Sequence, residues 1–115
     1  RDNFRNSPYE NKINLYIGDA LAIIPSLEKM YDLVFLDAEK SQYTRYYDAV
    51  FPKVKNGGYI LADNTIWDGK VTQNVLSNDL KTREIIRFND LIKADSRVEK
   101  VILPLRDGLT IIRKK

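Results

Sequence analysis

The chain has 115 residues, 43% of them apolar, with 19 Lys and Arg against 16 Asp and Glu for a net charge of +3. That length suits one domain able to bury a core, and the near-balance of charge argues against disorder. Neither cysteine nor histidine occurs, which excludes disulfide scaffolds, thiolate zinc sites and every nucleophile that relies on an imidazole base.

Residues 1–12 are polar and aperiodic. Ile13–Ile17 is a short apolar run closed by Gly18 and Asp19, which predicts a strand and a turn. Asp19 is placed to cap a helix bearing Leu21, Ile24 and Leu27, with a kink or restart at Pro25. Tyr31–Asp37 (YDLVFLD) is a nearly continuous apolar run ending in a carboxylate, the pattern of a strand covered on both faces. Tyr43, Tyr46, Tyr47 and Val50 share one face of a helix predicted over residues 42–51, which Pro52 and then Asn56-Gly57-Gly58 end. Tyr59–Asp63 (YILAD) repeats the earlier design, apolar strand first and carboxylate last. Residues 65–78 read as a loop. A long helix is predicted over residues 79–94, with Ile85, Phe88, Leu91 and Ile92 inward. Val98–Leu105 and Leu109–Arg113 form a hairpin through Asp107-Gly108. Strands alternating with helices imply an α/β fold with a mainly parallel sheet, closed by one antiparallel strand, in a single domain spanning residues 1–115.

Ligands of open α/β sheets bind beyond the carboxyl ends of the strands. Asp37 ends one strand, and Asp63 with Asn64 ends the next. If those strands are neighbours, two carboxylates and an amide oxygen meet on one rim, a hard donor set suited to Mg²⁺, Ca²⁺ or Mn²⁺. The plainer reading is that Asp and Asn end strands because they start turns and cap helices. Lys40 projects over the same rim and can serve as a general base if burial or a cation lowers its pKa, although a lone lysine at a helix start is usually solvated. Trp67, on the following loop, suits the wall of an aromatic substrate site; the cluster Tyr43, Tyr46 and Tyr47 reads mostly as helix-to-sheet packing, with Tyr43, the one near Asp37 in sequence, a further candidate for the substrate site. No glycine-rich phosphate loop of the dinucleotide or P-loop type occurs.

Gly18-Asp19-Ala20 with Ile23-Ile24-Pro25, then YDLVFLDAEKSQY (Tyr31–Tyr43), GGYILADNTIWDGKV (Gly57–Val71) and the ending RDGLTIIRK strongly resemble the cation-dependent O-methyltransferases, a family that includes the catechol and caffeoyl-CoA O-methyltransferases and bacterial relatives. The resemblance runs from about Ile13 to the C-terminus. It implies the C-terminal portion of a Rossmann-like methyltransferase sheet that uses S-adenosylmethionine (SAM) and a divalent cation to methylate a hydroxyl of a catechol-like small molecule. By the same resemblance Asp37, Asp63 and Asn64 are the metal ligands, Lys40 is the general base and Trp67 is a substrate-site aromatic. Gly18, Asp19 and Ala20 form the turn that meets the adenine, and Asp37-Ala38 the stretch that meets the methionine end. The mechanism so implied is cation-assisted deprotonation of the acceptor, Lys40 taking the proton, followed by in-line attack on the sulfonium methyl.

The family's full domain starts with a strand and a Gly-rich SAM loop that nothing before Ile13 supplies. The chain is therefore expected to be a partial domain, inactive alone, with Ile13–Ile17 as an orphan strand and an exposed apolar edge along Tyr31–Asp37. That edge can be closed by Ile13–Ile17 or by a second copy, so a homo-oligomer is expected. A cytoplasmic location is expected from the absent cysteines, and neither nucleic acid nor membrane is an expected partner, since the basic residues are scattered and no apolar stretch approaches a span. Two alternatives stay open. One is a phosphoacceptor receiver-like signalling domain with Asp37 as acceptor, which lacks the upstream acidic pair that such domains need. The other is a non-enzymatic α/β module.

Overall fold

In the computed structural model, residues 5–65 and 79–115 are described. The Asp19 carboxylate accepts the Leu21 amide at 3.0 Å and so starts helix α1 (Ala20–Ile23). After one turn Pro25 converts it to a 3-10 turn, Ile24–Ser26. Strand β1 (Tyr31–Leu36), helix α2 (Tyr43–Val50), strand β2 (Val54–Asp63), helix α3 (Leu80–Ala94) and strands β3 (Val98–Leu103) and β4 (Leu109–Lys114) follow. The sheet order is β1-β2-β4-β3. β1 and β2 run parallel, and β4 lies antiparallel to both of its neighbours. Three strands thus share one direction and β4 alone opposes them, the α/β sheet with a terminal hairpin that the sequence predicts.

The core lies on one face of this sheet. Leu36, Ile60, Ala62 and Ile112 point toward Tyr43, Tyr47 and Val50 of α2 and Ile85, Phe88 and Ile92 of α3. The helix residues recur at the spacing of one helical face, so the sequence pattern and the burial coincide. Tilted and edge-on ring contacts join Phe88 to Tyr43 at 5.0 Å and to Tyr47 at 5.9 Å. At the far end from the strand tips, the Tyr47 hydroxyl donates to Asp95 at 2.8 Å, and Arg97 grips the same carboxylate with two of its nitrogens. No helix among the described residues is long and apolar enough to cross a membrane.

The structure corrects three expectations. Ile13–Ile17 forms no strand and every residue in it is exposed. A short apolar run cannot stand as a strand without a neighbour to take its backbone hydrogen bonds, and none lies beside it among the described residues. β1 is covered on one face only: Val34 and Leu36 turn inward, while Leu33 and Phe35 are 56% and 58% exposed. β1 is also the sheet edge, so the expected apolar edge along Tyr31–Asp37 is present. Finally, Asn56-Gly57-Gly58 does not terminate the helix but lies inside β2, which begins at Val54. The pairing with β1 jumps from Tyr31↔Val54 to Leu33↔Tyr59, and Gly57, at φ +84°, supplies the left-handed residue that such a bulge needs.

Gly58 has a different reason to be glycine. A Cβ there would meet Val54 Cγ1 at 2.8 Å and the carbonyl oxygens of Asp32 and Lys55 at 2.9 Å. Backbone oxygens cannot swing aside, so Gly58→Ala is expected to lower stability by about 1–3 kcal/mol, read as an earlier midpoint in urea unfolding. An unchanged midpoint would show that β2 re-registers freely.

Candidate active site

The register of β1 and β2 sets the geometry. Phe35 pairs with Leu61 and Leu36 with Ala62, so Asp37 and Asp63 each come directly after the last paired residues, at two adjacent strand tips. Parallel neighbours lie about 4.8 Å apart. Asp63 ends β2 on the open face that carries Tyr59, whereas Asp37, one residue past β1, lines the cleft along the β1 edge. Beyond β2, Asn64 adopts φ +60°, a left-handed conformation that asparagine tolerates better than most residues, and the chain turns off the sheet there.

Lys40 enters this rim from below. Glu39 caps its 3-10 turn by accepting the Ser41 amide at 3.4 Å, which leaves Lys40 pointing inward with only 6% of its surface exposed. Its Nζ lies 3.3 Å from Asp37 Oδ1 and 3.1 Å from the Tyr43 hydroxyl, and 4.3 Å from the centre of the Tyr43 ring. The solvated lysine that is usual at a helix start is therefore not what the fold builds here.

Tyr43 corrects a further expectation. It is fully buried, so it stands beneath the rim rather than on a substrate wall. Its hydroxyl shares one proton between the carbonyl oxygens of Leu36 at 2.8 Å and Asp63 at 2.6 Å while accepting from Lys40. One phenol thus ties the tip of β1 to the tip of β2. Burial first, then the charges of Asp37 and Asp63, push this phenol well above its ordinary pKa, so it stays a neutral hydrogen-bonding group.

A second support, not foreseen from the sequence, fixes the residue after Asn64. The Thr65 carbonyl accepts from Asn89 of α3 at 2.9 Å, and its hydroxyl accepts from Thr110 of β4, also at 2.9 Å. The only sequence hint was that Asn89 follows Phe88 along the inward face of α3.

Two clefts meet at the rim. One, of about 360 Å³, runs along the β1 edge and is lined by Ala20, Asp37 and Ala38 together with apolar residues from Ile24 to Val50. Gly18 and Asp19 adjoin Ala20 in the chain but do not line this cleft, and the Asp19 carboxylate is used as the helix cap. The other, of about 560 Å³, lies over the open face and is lined by Asp63, Asn64, Phe35, Leu105, Arg106, Asp107 and Leu109. Phe35 borders both. Trp67 lies outside the described residues.

The donor set fits a divalent cation. Asp37 Oδ1 accepts from Lys40 and Asp63 Oδ1 from the Asn64 amide at 2.9 Å, which leaves the second oxygen of each carboxylate unpaired among the described residues. Two like charges at adjacent strand tips repel, and Lys40 pairs with only one of them. The described residues hold no group of three or more His, Cys, Asp or Glu suited to a metal, so any ion here would rest on two carboxylates and one amide, with water or substrate completing its shell.

The O-methyltransferase family matches residues 1–115, and the chain belongs to that family. The caffeoyl-CoA O-methyltransferase 1 of Zea mays is 39% identical over 118 residues, covering 90% of this chain and 45% of that protein. The caffeoyl-CoA O-methyltransferase of Stellaria longipes is 30% identical over 115 residues, covering 91% and 48%. The chain thus spans about half the length of the curated relatives it matches. Among solved structures, an O-methyltransferase from Bacillus cereus in complex with SAH superposes with a TM-score of 0.74 at 29% identity, covering 84% of this chain and 46% of that one. An SAH-bound methyltransferase of Podospora anserina gives 0.77 at 25%, covering 93% and 53%. These likenesses favour the methyltransferase reading over the receiver-like one.

Proposed function

We propose that this chain carries the cation- and acceptor-binding part of a SAM-dependent O-methyltransferase that acts on a hydroxyl of a catechol-like small molecule. The observation that supports the reading is the adjacency of Asp37 and Asp63 at the tips of two paired strands, with the buried Lys40 Nζ 3.3 Å from Asp37. Asp37, Asp63 and Asn64 would hold the ion, and the cleft lined by Ala20, Asp37 and Ala38 would hold SAM. When bound, the ion acidifies an acceptor hydroxyl and SAM offers its methyl on a positively charged sulfur. The chain's own residues do the rest. The groove over Phe35, Leu105 and Leu109 seats the acceptor's ring and excludes water from one side. Lys40 takes the hydroxyl proton, and the rigid strand tips hold donor and acceptor in position. The absence of cysteine supports a cytoplasmic setting, and the exposed β1 edge supports self-association.

The test is a cation titration followed by thermal unfolding. Mg²⁺, Mn²⁺ or Ca²⁺ at a hundredfold excess over its dissociation constant is expected to stabilise the fold by about 2.7 kcal/mol. The pair of substitutions Asp37→Asn and Asp63→Asn keeps shape but removes both charges, and is expected to abolish that shift. A melting curve of the unmodified protein that ignores all three ions would overturn the metal site.

A further inference from the structure

The hairpin that follows β3 contains a residue in the wrong place for its type. The Gly108 amide donates to the Leu105 carbonyl at 2.9 Å, closing a turn whose second residue is Arg106 at φ +51°. Glycine takes that conformation at little cost, whereas a side chain with a Cβ is strained in it. Gly108, two residues further on, is itself left-handed at φ +89°, so the turn already uses glycine where it needs one. Arg106 gains nothing locally in return. It is exposed, and among the described residues it has no ion pair or hydrogen bond from its side chain. What it does have is a position: it lines the acceptor groove together with Asp63, Asn64 and the apolar Phe35, Leu105 and Leu109. The neighbouring Asp107, also on this groove, is already engaged by another group.

We propose that Arg106 is a specificity-determining residue that selects acceptors bearing an anionic group, carboxylate or phosphate, beyond the hydroxyls that face Asp63 and Asn64. The planar fork of a guanidinium pairs with two oxygens of such a group, and a fork on the lining of this groove with no partner among the described residues is available to do so. The groove then reads its ligand at two ends, by hydroxyls at the acidic rim and by charge at the hairpin. This rests on the acceptor site of the proposed function and adds its charge preference.

The experiment compares the unmodified protein with Arg106→Gly and Arg106→Lys, in the presence of Mg²⁺, by calorimetric binding of 3,4-dihydroxybenzoate and of the uncharged 4-methylcatechol. Arg106→Gly relieves the turn, so its melting temperature is expected to equal or exceed that of the unmodified protein. Its affinity for the carboxylate is expected to fall about 10-fold or more, while 4-methylcatechol changes less than about 2-fold. Arg106→Lys keeps the charge without the fork and is expected to fall between the two. Equal losses for both ligands, or none for either, would overturn the role of Arg106 and leave the acceptor site standing. Failure of the unmodified protein to bind either catechol would sink the acceptor site itself and the selectivity with it.

Discussion

In an enzyme that contains this chain within a whole methyltransferase domain, Lys40→Met is expected to lower kcat for methyl transfer by about 10²–10⁴-fold, the usual loss when a positioned base is removed, while the protein still folds and still binds its cation. Methionine matches the stem of lysine in length and flexibility and is at home among the buried rings that surround it, so packing around Tyr43 and Phe88 survives. What disappears is the one nitrogen that touches both Asp37, at 3.3 Å, and the Tyr43 hydroxyl, at 3.1 Å. Removing that positive charge also leaves the two rim carboxylates less balanced, so cation affinity is expected to hold or rise. That contrast identifies a base: a residue with a merely structural role would weaken folding, cation binding and turnover together. If Lys40→Met retains full turnover at saturating acceptor, the proton leaves by another route and Lys40 only balances charge.

Tyr43→Phe is expected to cost about 1–3 kcal/mol of stability, because two buried carbonyls lose their shared donor and Lys40 loses an acceptor. The same change is expected to loosen the cation site, since the phenol bridges the β1 tip to the β2 tip on which Asp37 and Asp63 stand. Tyr47→Phe provides the control. It removes a second buried hydroxyl from the same helix, but one that bonds Asp95 at the opposite end of the sheet. Both variants should unfold earlier in urea, yet only Tyr43→Phe should raise the Mg²⁺ concentration needed for half-maximal stabilisation. Parallel behaviour of the two would reduce Tyr43 to an ordinary core residue.

Much of this arrangement is written openly in the chain. YDLVFLD and YILAD are apolar runs that each end in aspartate, and one helix between them is enough to make parallel neighbours whose tips coincide. Helix α3 announces itself through Ile85, Phe88 and Ile92, and the terminal hairpin through Asp107-Gly108. Other features depend on groups distant in sequence. Whether Ile13–Ile17 becomes a strand is decided by the presence of a partner edge and not by its composition. Gly57 and Gly58 look like a helix stop, but the first serves a bulge and the second a close approach to Asp32, a residue far upstream. Tyr43 opens the inward face of α2 as its spacing predicts, but Lys40 sits on a polar-looking turn, and only the packing of that turn against α3 puts it inside. The strain at Arg106 belongs to the turn's backbone and leaves no mark on residue type.

The ring of Phe35 borders the cleft along the β1 edge and the groove over the open face alike. A single partition between two chambers cannot be trimmed on one side only. On the proposed roles of the two clefts, a substitution at this position that enlarges room for a bulkier acceptor also widens the compartment next door, so changes in substrate range and in methyl-donor affinity are expected to travel together.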